Sequence, residues 1–386
     1  MTSRLSSTIR RRCQLDFDEA QALILFGPRK TGKTTLLAQR YPDALKYDLL
    51  LTEIRAELKI RPSLLREMVL ERKPELVILD EIQKVPELLD EVHWLIENTE
   101  TKFILCGSSS RKLKRGAANL LGGRALRVDL FPLVSAEIGD LNLQKGIHAG
   151  MIPQHYLSRN PDRFLKAYVD QYIQEEIIEE SQIRKLQSFY RFLETAALMN
   201  GELLNYAKVG SDCGVSPKTV REYYQILEDT LIGFSLLPWT NVKTRKLIET
   251  AKFYLFDTGV IRHLKELPQV PNKSREFGNF FETFLINEIR AYIAYSNLSL
   301  KLSFWRTTSD FEVDLIVGKM QVAIEFKSSQ RVGSGELGGL RALKEEHSPS
   351  LLLLVCQVTE PRLTEDGIRI LPFQDFLKRM WAGELF

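Results

Sequence analysis

The stretch Leu23 to Thr35, reading Leu-Ile-Leu-Phe-Gly-Pro-Arg-Lys-Thr-Gly-Lys-Thr-Thr, constrains the fold more than any other segment. An apolar run, Leu23 to Phe26, leads into Gly27, Pro28, Arg29, Lys30, Thr31, Gly32, Lys33 and Thr34, which fits the Walker A spacing, and helix formers follow from Leu36 to Gln39. Strand, glycine loop and helix thus come in the order that lets backbone N–H groups close around phosphates, with the helix N-terminus adding its dipole. Lys33 is expected to reach the β and γ phosphates and the Thr34 hydroxyl to ligand Mg²⁺, with Thr35 counted in the loop. A glycine turn carrying an incidental lysine is the competing explanation; both flanks argue against it.

A second apolar run, Leu76 to Leu79, ends in Asp80-Glu81. A continuous apolar strand suits the buried centre of a parallel sheet, whose C-terminal edge is where ligands bind. This is a Walker B pattern: Asp80 would hold the Mg²⁺ shell and Glu81 would orient the attacking water. Between the two motifs, Ala44 to Asp48 reads as a short strand and Leu51 to Glu71 as helix broken at Pro62. The helix Pro86 to Glu97 presents Leu88, Leu89, Val92, Leu95 and Ile96 to a core, and Lys102 to Gly107 is a further buried strand ending at Ser108. Arg111 to Arg115 is the densest basic run, either a solvated helix face or a nucleic-acid contact. Gly122-Gly123-Arg124 precedes the strand Leu126 to Leu130, and Arg124 there could be presented to a γ-phosphate as a finger.

The bulk numbers bound the rest. A length of 386 residues suits two or three domains. The 53 basic residues nearly balance 50 acidic ones, so a nucleic-acid surface would have to come from local clustering. Cys13, Cys106, Cys213 and Cys356 have no paired spacing, which argues against zinc and for a reducing compartment. Arg4 and Arg10 to Arg12 are followed by no apolar signal core, and the longest apolar run, around Leu351 to Cys356, is too short for a bilayer. The expectation is a cytoplasmic chain without a membrane partner. The arginine run reads as a solvated tail or a phosphate contact.

From about Gly150 the alternation of strands and helices gives way to helices, Asp162 to Glu180 and Phe189 to Met199. Gly201 to Leu237 has helix-turn-helix character: a helix over Leu204 to Val209, a turn at Asp212 to Val215, and Ser216 capping a second helix that begins at Pro217. Leu231 to Leu237 and Lys252 to Phe256 read as wing strands joined by Asn241 to Lys246. Lys218 and Arg221 lie in the first turns of the recognition helix and would face DNA, while Lys243, Arg245 and Lys246 at the wing tip suit phosphate contact. Winged helices also serve as structural or protein-binding modules.

Beyond Pro271, the helix Phe277 to Tyr295 places Glu282 on the face of Ile286, Ile289 and Ile293, and leaves Glu288 to solvent. Phe311 to Val317 and Gln321 to Lys327 form a hairpin turning at Gly318-Lys319. With a two-residue turn, Asp314 lies opposite Ala323 and diagonal to Glu325, on the face that also carries Lys327. This layout resembles a PD-(D/E)xK nuclease core, and the resemblance implies that Asp314 and Glu325 ligand Mg²⁺, that Glu282 completes the shell or a second site, and that Lys327 activates water or stabilises a pentavalent phosphate. A surface hairpin with acid–base pairs is the alternative.

These segments carry a resemblance. The Gly-Pro-Arg Walker A, the Asp80-Glu81-Ile82-Gln83 Walker B, the Gly107-Ser108 strand end and the Gly-Arg element resemble the prokaryotic predicted AAA+ superfamily ATPases, over nearly the whole chain. The resemblance implies ATP as cofactor, a γ-phosphate sensor at the strand end and a homo-oligomer whose sites borrow a neighbour's arginine; the run Ser108-Ser109-Ser110 lacks the usual asparagine, so Ser108 is the candidate sensor with its two neighbours left open, and a simple serine turn is the alternative. The segment Gly278 to Ser329 resembles a PD-(D/E)xK nuclease core. The expected architecture is α/β throughout: a P-loop AAA+ parallel-sheet domain over 1–140, a helical winged-helix module over 141–268 and a small restriction-endonuclease-like α/β domain over 269–386. The expected function is an ATP-hydrolysing DNA-binding protein with Mg²⁺-dependent nuclease capability; the rival is a nucleotide-gated switch with a silent nuclease-like domain.

Overall fold

A computed structural model of the chain describes residues 9–108, 121, 123–173, 186–240 and 249–386. The expectations for Ser109, Ser110, the basic run 111–115, Gly122 and the wing-tip residues Lys243, Arg245 and Lys246 fall outside the described residues. The chain divides into two compact units, one of Met1–Leu133, Gln171–Ile183 and Gln225–Ile232, the other of Val134–Asp170, Arg184–Tyr224 and Gly233–Phe386.

The first unit is built on a five-stranded parallel sheet of order β2-β3-β4-β1-β5. Its strands are β1 (Ala22–Phe26), β2 (Leu45–Asp48), β3 (Leu76–Asp80), β4 (Lys102–Gly107) and β5 (Ala125–Asp129). The apolar runs β1, β3 and β4 take the centre; β5, with exposed Leu126 and Arg127, takes an edge. Helices Lys33–Arg40, Thr52–Ile60, Ser63–Arg72 and Leu88–Asn98 alternate with the strands, and the helical break falls at Arg61-Pro62 as the proline requires. Leu58, Leu65, Val69, Leu88, Val92 and Leu95 are buried against Val77, Leu79, Phe103 and Leu105 of the sheet. Burying each such side chain contributes roughly 1.5–3 kcal/mol. Because β3, β4 and β1 are adjacent and parallel, the residues following their C-terminal ends, Glu81, Ser108 and Gly27, share one edge.

The second unit holds an eight-stranded mixed sheet of order β12-β13-β11-β10-β9-β8-β6-β7. The strands are β6 (Gly233–Pro238), β7 (Lys252–Leu255), β8 (Leu302–Arg306), β9 (Glu312–Val317), β10 (Val322–Phe326), β11 (Leu351–Cys356), β12 (Arg362–Leu363) and β13 (Arg369–Pro372). The wing expectation needs correcting here. β6 and β7 pair antiparallel as expected, but Leu237 and Pro238 also pair in parallel with Ser303 and Phe304 of β8. The hairpin is therefore the edge of the sheet that runs through the C-terminal segment, and the boundary expected at 268/269 cuts through one sheet.

Upstream, the helix Tyr206–Cys213 starts two residues later than expected and runs through Asp212 and Cys213 of the expected turn; Gly214 follows at φ 69°, and a second helix begins at Pro217, with Ser216 Oγ accepting from Thr219 N at 3.2 Å. Tyr223 and Tyr224 pack edge-on or tilted against Phe189, Phe192 and Phe253, so this module is anchored by aromatic rings.

Candidate functional site

Two constellations emerge, one in each unit. In the first, Gly27 is held to glycine by contact: a Cβ there would lie 2.5 Å from the Leu130 carbonyl oxygen. Gly32 sits at φ 97°, in the left-handed region, and starts the helix Lys33–Arg40 without a side-chain cap. Lys33 is buried and folds back over the loop, its Nζ donating to Gly27 O at 2.6 Å and Pro28 O at 3.1 Å. Thr31 closes the loop from within, its Oγ1 donating to Pro28 O at 2.8 Å. Thr34 Oγ1 lies 3.0 Å from Asp80 Oδ2, an oxygen that also meets Lys46 Nζ at 3.0 Å. Glu81 adopts φ 60°, a left-handed conformation costly for a side-chain-bearing residue, and turns the chain into the short 3₁₀ segment Ile82–Lys84. That turn brings Gln83 back, so that its Nε2 donates to Glu81 Oε2 at 2.5 Å and to Ser108 Oγ at 3.2 Å.

The sequence reading thus brings Lys33, Thr34, Asp80, Glu81 and Ser108 to one edge and misses two residues. Gln83, quoted only as part of a motif, is buried and bridges two of them. Arg11, read as part of a solvated tail or a phosphate contact, is buried and braces the loop, donating to Thr31 O at 2.5 Å, Phe131 O at 2.7 Å and Pro132 O at 3.1 Å. Arg124 is not brought to this edge. It precedes β5 at the opposite, N-terminal end of the sheet, where its guanidinium meets Glu97 at 3.1 Å, so the expected finger does not reach the loop of its own chain. A strand that runs parallel to β1 necessarily starts at the far end from the loop.

The residues fit a Mg²⁺-nucleotide: a hydroxyl and a buried carboxylate 3.0 Å apart can share a hard cation, and Lys33 stands over the loop that would hold the phosphates.

In the second unit the hairpin register differs from the expectation. Val317 pairs with Val322, Ile316 with Ala323 and Leu315 with Ile324, so the connection runs from Gly318 to Gln321, with Gly318 and Met320 at positive φ. Continued by one pair, this register sets Asp314 directly across from Glu325 rather than diagonal to it. Asp314 Oδ2 accepts from Phe326 N at 2.8 Å, and Lys327 Nζ meets Glu325 Oε1 at 2.6 Å. Glu282 lies on the same side, accepting from Tyr254 Oη at 2.6 Å.

A residue from the middle segment completes the cluster. Lys252, the first residue of β7, is buried, pairs with Glu312 and lies 3.8 Å from Glu282, while Glu312 also meets Arg306 at 3.2 Å. Burial alone would lower the Lys252 ammonium, but Glu282, Glu312 and Asp314 carry it above its ordinary range. Burial raises the carboxyl groups: Glu282 is pushed up to about 7, with Lys252 opposing; Asp314 is raised against Lys327 and Lys252; and Glu325 stands well above the usual range, with Asp314 adding to the rise. Among the described residues no group of three or more His, Cys, Asp or Glu side chains is placed to hold a metal ion. The Lys252 ammonium stands among the carboxylates, beside Glu282 and Glu312. Lys252 opens the stretch read as the second wing strand, but no local signal shows that this lysine reaches a helix and a hairpin far downstream.

Glu288 is a second correction. Expected in solvent, it is buried, its carboxylate accepting from Ser135 N and Ser135 Oγ at 2.7 Å and from Trp381 Nε1 at 3.0 Å. The helix Arg275–Tyr295 is covered on most sides, so a residue off its apolar stripe still finds no water. Of the candidate nucleic-acid contacts, Lys218 and Arg221 are exposed, the Arg221 guanidinium lying 4.9 Å from the centre of the Tyr206 ring.

Comparison with known proteins divides the chain into three segments. Residues 141–270 match a domain of unknown function (DUF8612) and residues 277–376 another (DUF4143). The chain is similar to an uncharacterized protein of Mycobacterium tuberculosis, 24% identical over 309 residues, which cover 77% of this chain and 68% of that one. An uncharacterized protein of Methanocaldococcus jannaschii is 31% identical over 187 residues, 43% of this chain and 37% of that one. A solved signal transduction ATPase with numerous domains and a tetratricopeptide repeat sensor, from Pyrococcus horikoshii, aligns at 16% identity and a TM-score of 0.22, over 72% of this chain and 46% of that one; so loose a superposition carries no argument. No helix among the described residues is long and apolar enough to cross a membrane. Residues 19–139 match the family described as AAA domain, and this match, together with the parallel sheet and glycine loop above, supports a nucleotide-binding ATPase.

Proposed function

We propose that the chain is a Mg²⁺-dependent ATPase that works as a nucleotide-gated switch on DNA, with a nuclease-like C-terminal segment whose acidic cluster is closed by Lys252. The observation that carries the ATPase half is the meeting of Lys33, Thr34, Asp80 and Glu81 at one sheet edge. Thr34 and Asp80 would hold Mg²⁺, which when bound with ATP offsets the charge of the phosphates. Lys33 binds the β and γ phosphates, Glu81 orients the attacking water and accepts its proton, and Ser108 donates to a γ-phosphate oxygen. Exposed Lys218 and Arg221 offer the DNA contact. Arg124, exposed and remote from its own loop, can serve only a neighbouring copy, which makes the active species a homo-oligomer in this reading.

The test is ATP turnover by the purified chain with Mg²⁺, abolished by chelation. Glu81→Gln should keep ATP binding and stop hydrolysis, whereas Lys33→Ala should weaken binding; turnover that survives Glu81→Gln would sink the water-orienting role. A second reading, Mg²⁺-dependent cleavage of DNA, is favoured by one observation: Asp314, Glu325 and Lys327 share a face, and Glu325 Oε2 is buried with no hydrogen-bond partner among the described residues. Incubation with single-stranded, duplex and branched DNA separates the two. The switch reading expects no cleavage; nicking that Asp314→Ala abolishes while ATP turnover persists would replace it.

A further inference from the structure

Gln83 is a buried polar side chain at the nucleotide edge to which the Walker roles give no part. Only about 4% of it is exposed, and it touches both Glu81 and Ser108. The amide can be oriented in one way only. At 2.5 Å from a carboxylate oxygen the group facing Glu81 must be the NH₂, because an amide oxygen there would set acceptor against acceptor. The NH₂ has two hydrogens, and the second goes to Ser108 Oγ at 3.2 Å. Accepting that bond leaves Ser108 its own hydroxyl hydrogen to donate elsewhere. Gln83 Oε1, buried, has no hydrogen-bond partner among the described residues. A buried amide that spends both donors on two side chains and leaves its acceptor unsatisfied is costly unless the spanning geometry itself is useful.

We propose that Gln83 is a positioning residue for ATP hydrolysis: it ties the Glu81 carboxylate to Ser108, so that Glu81 is aimed at the attacking water when the Ser108 hydroxyl engages the γ-phosphate. The left-handed turn at Glu81 supports this, because it is what folds Gln83 back over the carboxylate two residues earlier. The proposal rests on the ATPase reading above and adds a second layer to it: the carboxylate is held by a side chain that also reads the neighbouring strand end.

The experiment measures steady-state ATP hydrolysis and ATP affinity for the full chain and for Gln83→Ala, Gln83→Glu, Ser108→Ala and the Gln83→Ala/Ser108→Ala double variant. Loss of a supporting partner is expected to lower kcat about ten- to a hundredfold with ATP affinity held within about threefold. Gln83→Glu keeps the shape but turns a donor into an acceptor, so it should lose kcat likewise, and a packing defect caused by the smaller alanine cannot imitate that. Since the two residues act as one link, the double variant should be slower than the slower single by no more than about threefold. Unchanged kcat in both Gln83 variants, a loss seen equally in ATP affinity, or fully additive losses with Ser108→Ala would each overturn the proposal while wild-type turnover left the ATPase reading standing. Absence of wild-type turnover would overturn both.

Discussion

Arg11 shows how one side chain can set the state of a ligand loop from outside it. Its guanidinium gives hydrogen bonds to the carbonyls of Thr31, Phe131 and Pro132, joining the phosphate loop to the segment after β5. Arg11→Ala leaves those buried acceptors without this donor and should cost about 2–4 kcal/mol. A lowered melting temperature and weaker ATP binding are expected; wild-type values for both would return Arg11 to the role of a solvated tail. Glu288 offers a pH test. Burial pushes its pKa from an ordinary 4.5 up to about 7, against the bonds from Ser135 and Trp381. Between those values the folded chain keeps a proton that the unfolded chain has released, so this group's contribution to stability falls as pH rises through the window. The size is on the order of 3 kcal/mol. Asp257, pushed up by burial to about 6, acts with the same sign. Unfolding followed across pH 4.5 to 7 should show the decline, and Glu288→Gln should flatten it; a variant with the wild-type slope would mean that Glu288 does not titrate there.

At the level of elements, the contact between the helix Gly338–Glu346 and β9 is set by Gly339, where a Cβ would run into the carbonyl oxygen of Glu312. Gly339→Ala must push the helix off the strand that carries Asp314, and overpacking of this kind costs typically 1–3 kcal/mol. A lowered melting temperature is expected, with ATP turnover unchanged because the nucleotide edge lies in the other unit; unchanged stability would refute the close approach. How much of this was legible in the sequence varies with the range of the interaction. The P-loop strand, Asp80-Glu81 and the alternation that puts Glu325 and Lys327 on one face are local patterns, and they were readable from spacing alone. The register of the 312–326 hairpin was not, because nothing in Gly318-Lys319-Met320-Gln321 distinguishes a two-residue turn from a longer one. Lys252 was harder still. Its partners Glu282 and Glu312 come from a helix and a strand that follow it by 30 and 60 positions, and a lysine at a strand start carries no mark of them. Glu288 failed for another reason: helical periodicity says which face is most apolar, not how many faces are covered.

For the whole molecule, the consequence is that the middle and C-terminal segments stand or fall together. Both match separate domain families, yet β6 pairs with β8 across the expected boundary, Lys252 joins the acidic cluster, Asn200 Nδ2 donates to Thr283 Oγ1 at 2.8 Å, and Ser135 meets Glu288. Residues 269–386 expressed alone would expose the β8 edge where β6 pairs, leave Glu312 with Arg306 alone and strip Glu282 of both Lys252 and the Tyr254 hydroxyl, and a carboxylate inside the fold that loses its partners is costly. The fragment is therefore expected to show no cooperative unfolding transition under conditions where the full chain unfolds cooperatively. Denaturant titration followed by circular dichroism reads the difference directly. A cooperative transition in the fragment would mean that the shared sheet and the lysine are accessory, and the C-terminal segment would then be a free-standing domain in which the acidic face is open to a cation. The full-length variant Lys252→Met gives the complementary reading: with the ammonium gone and the chain otherwise intact, unfolding at neutral pH should occur at lower denaturant, and the loss should shrink at low pH, where Glu282 and its neighbours take up protons and no longer need a counter-charge.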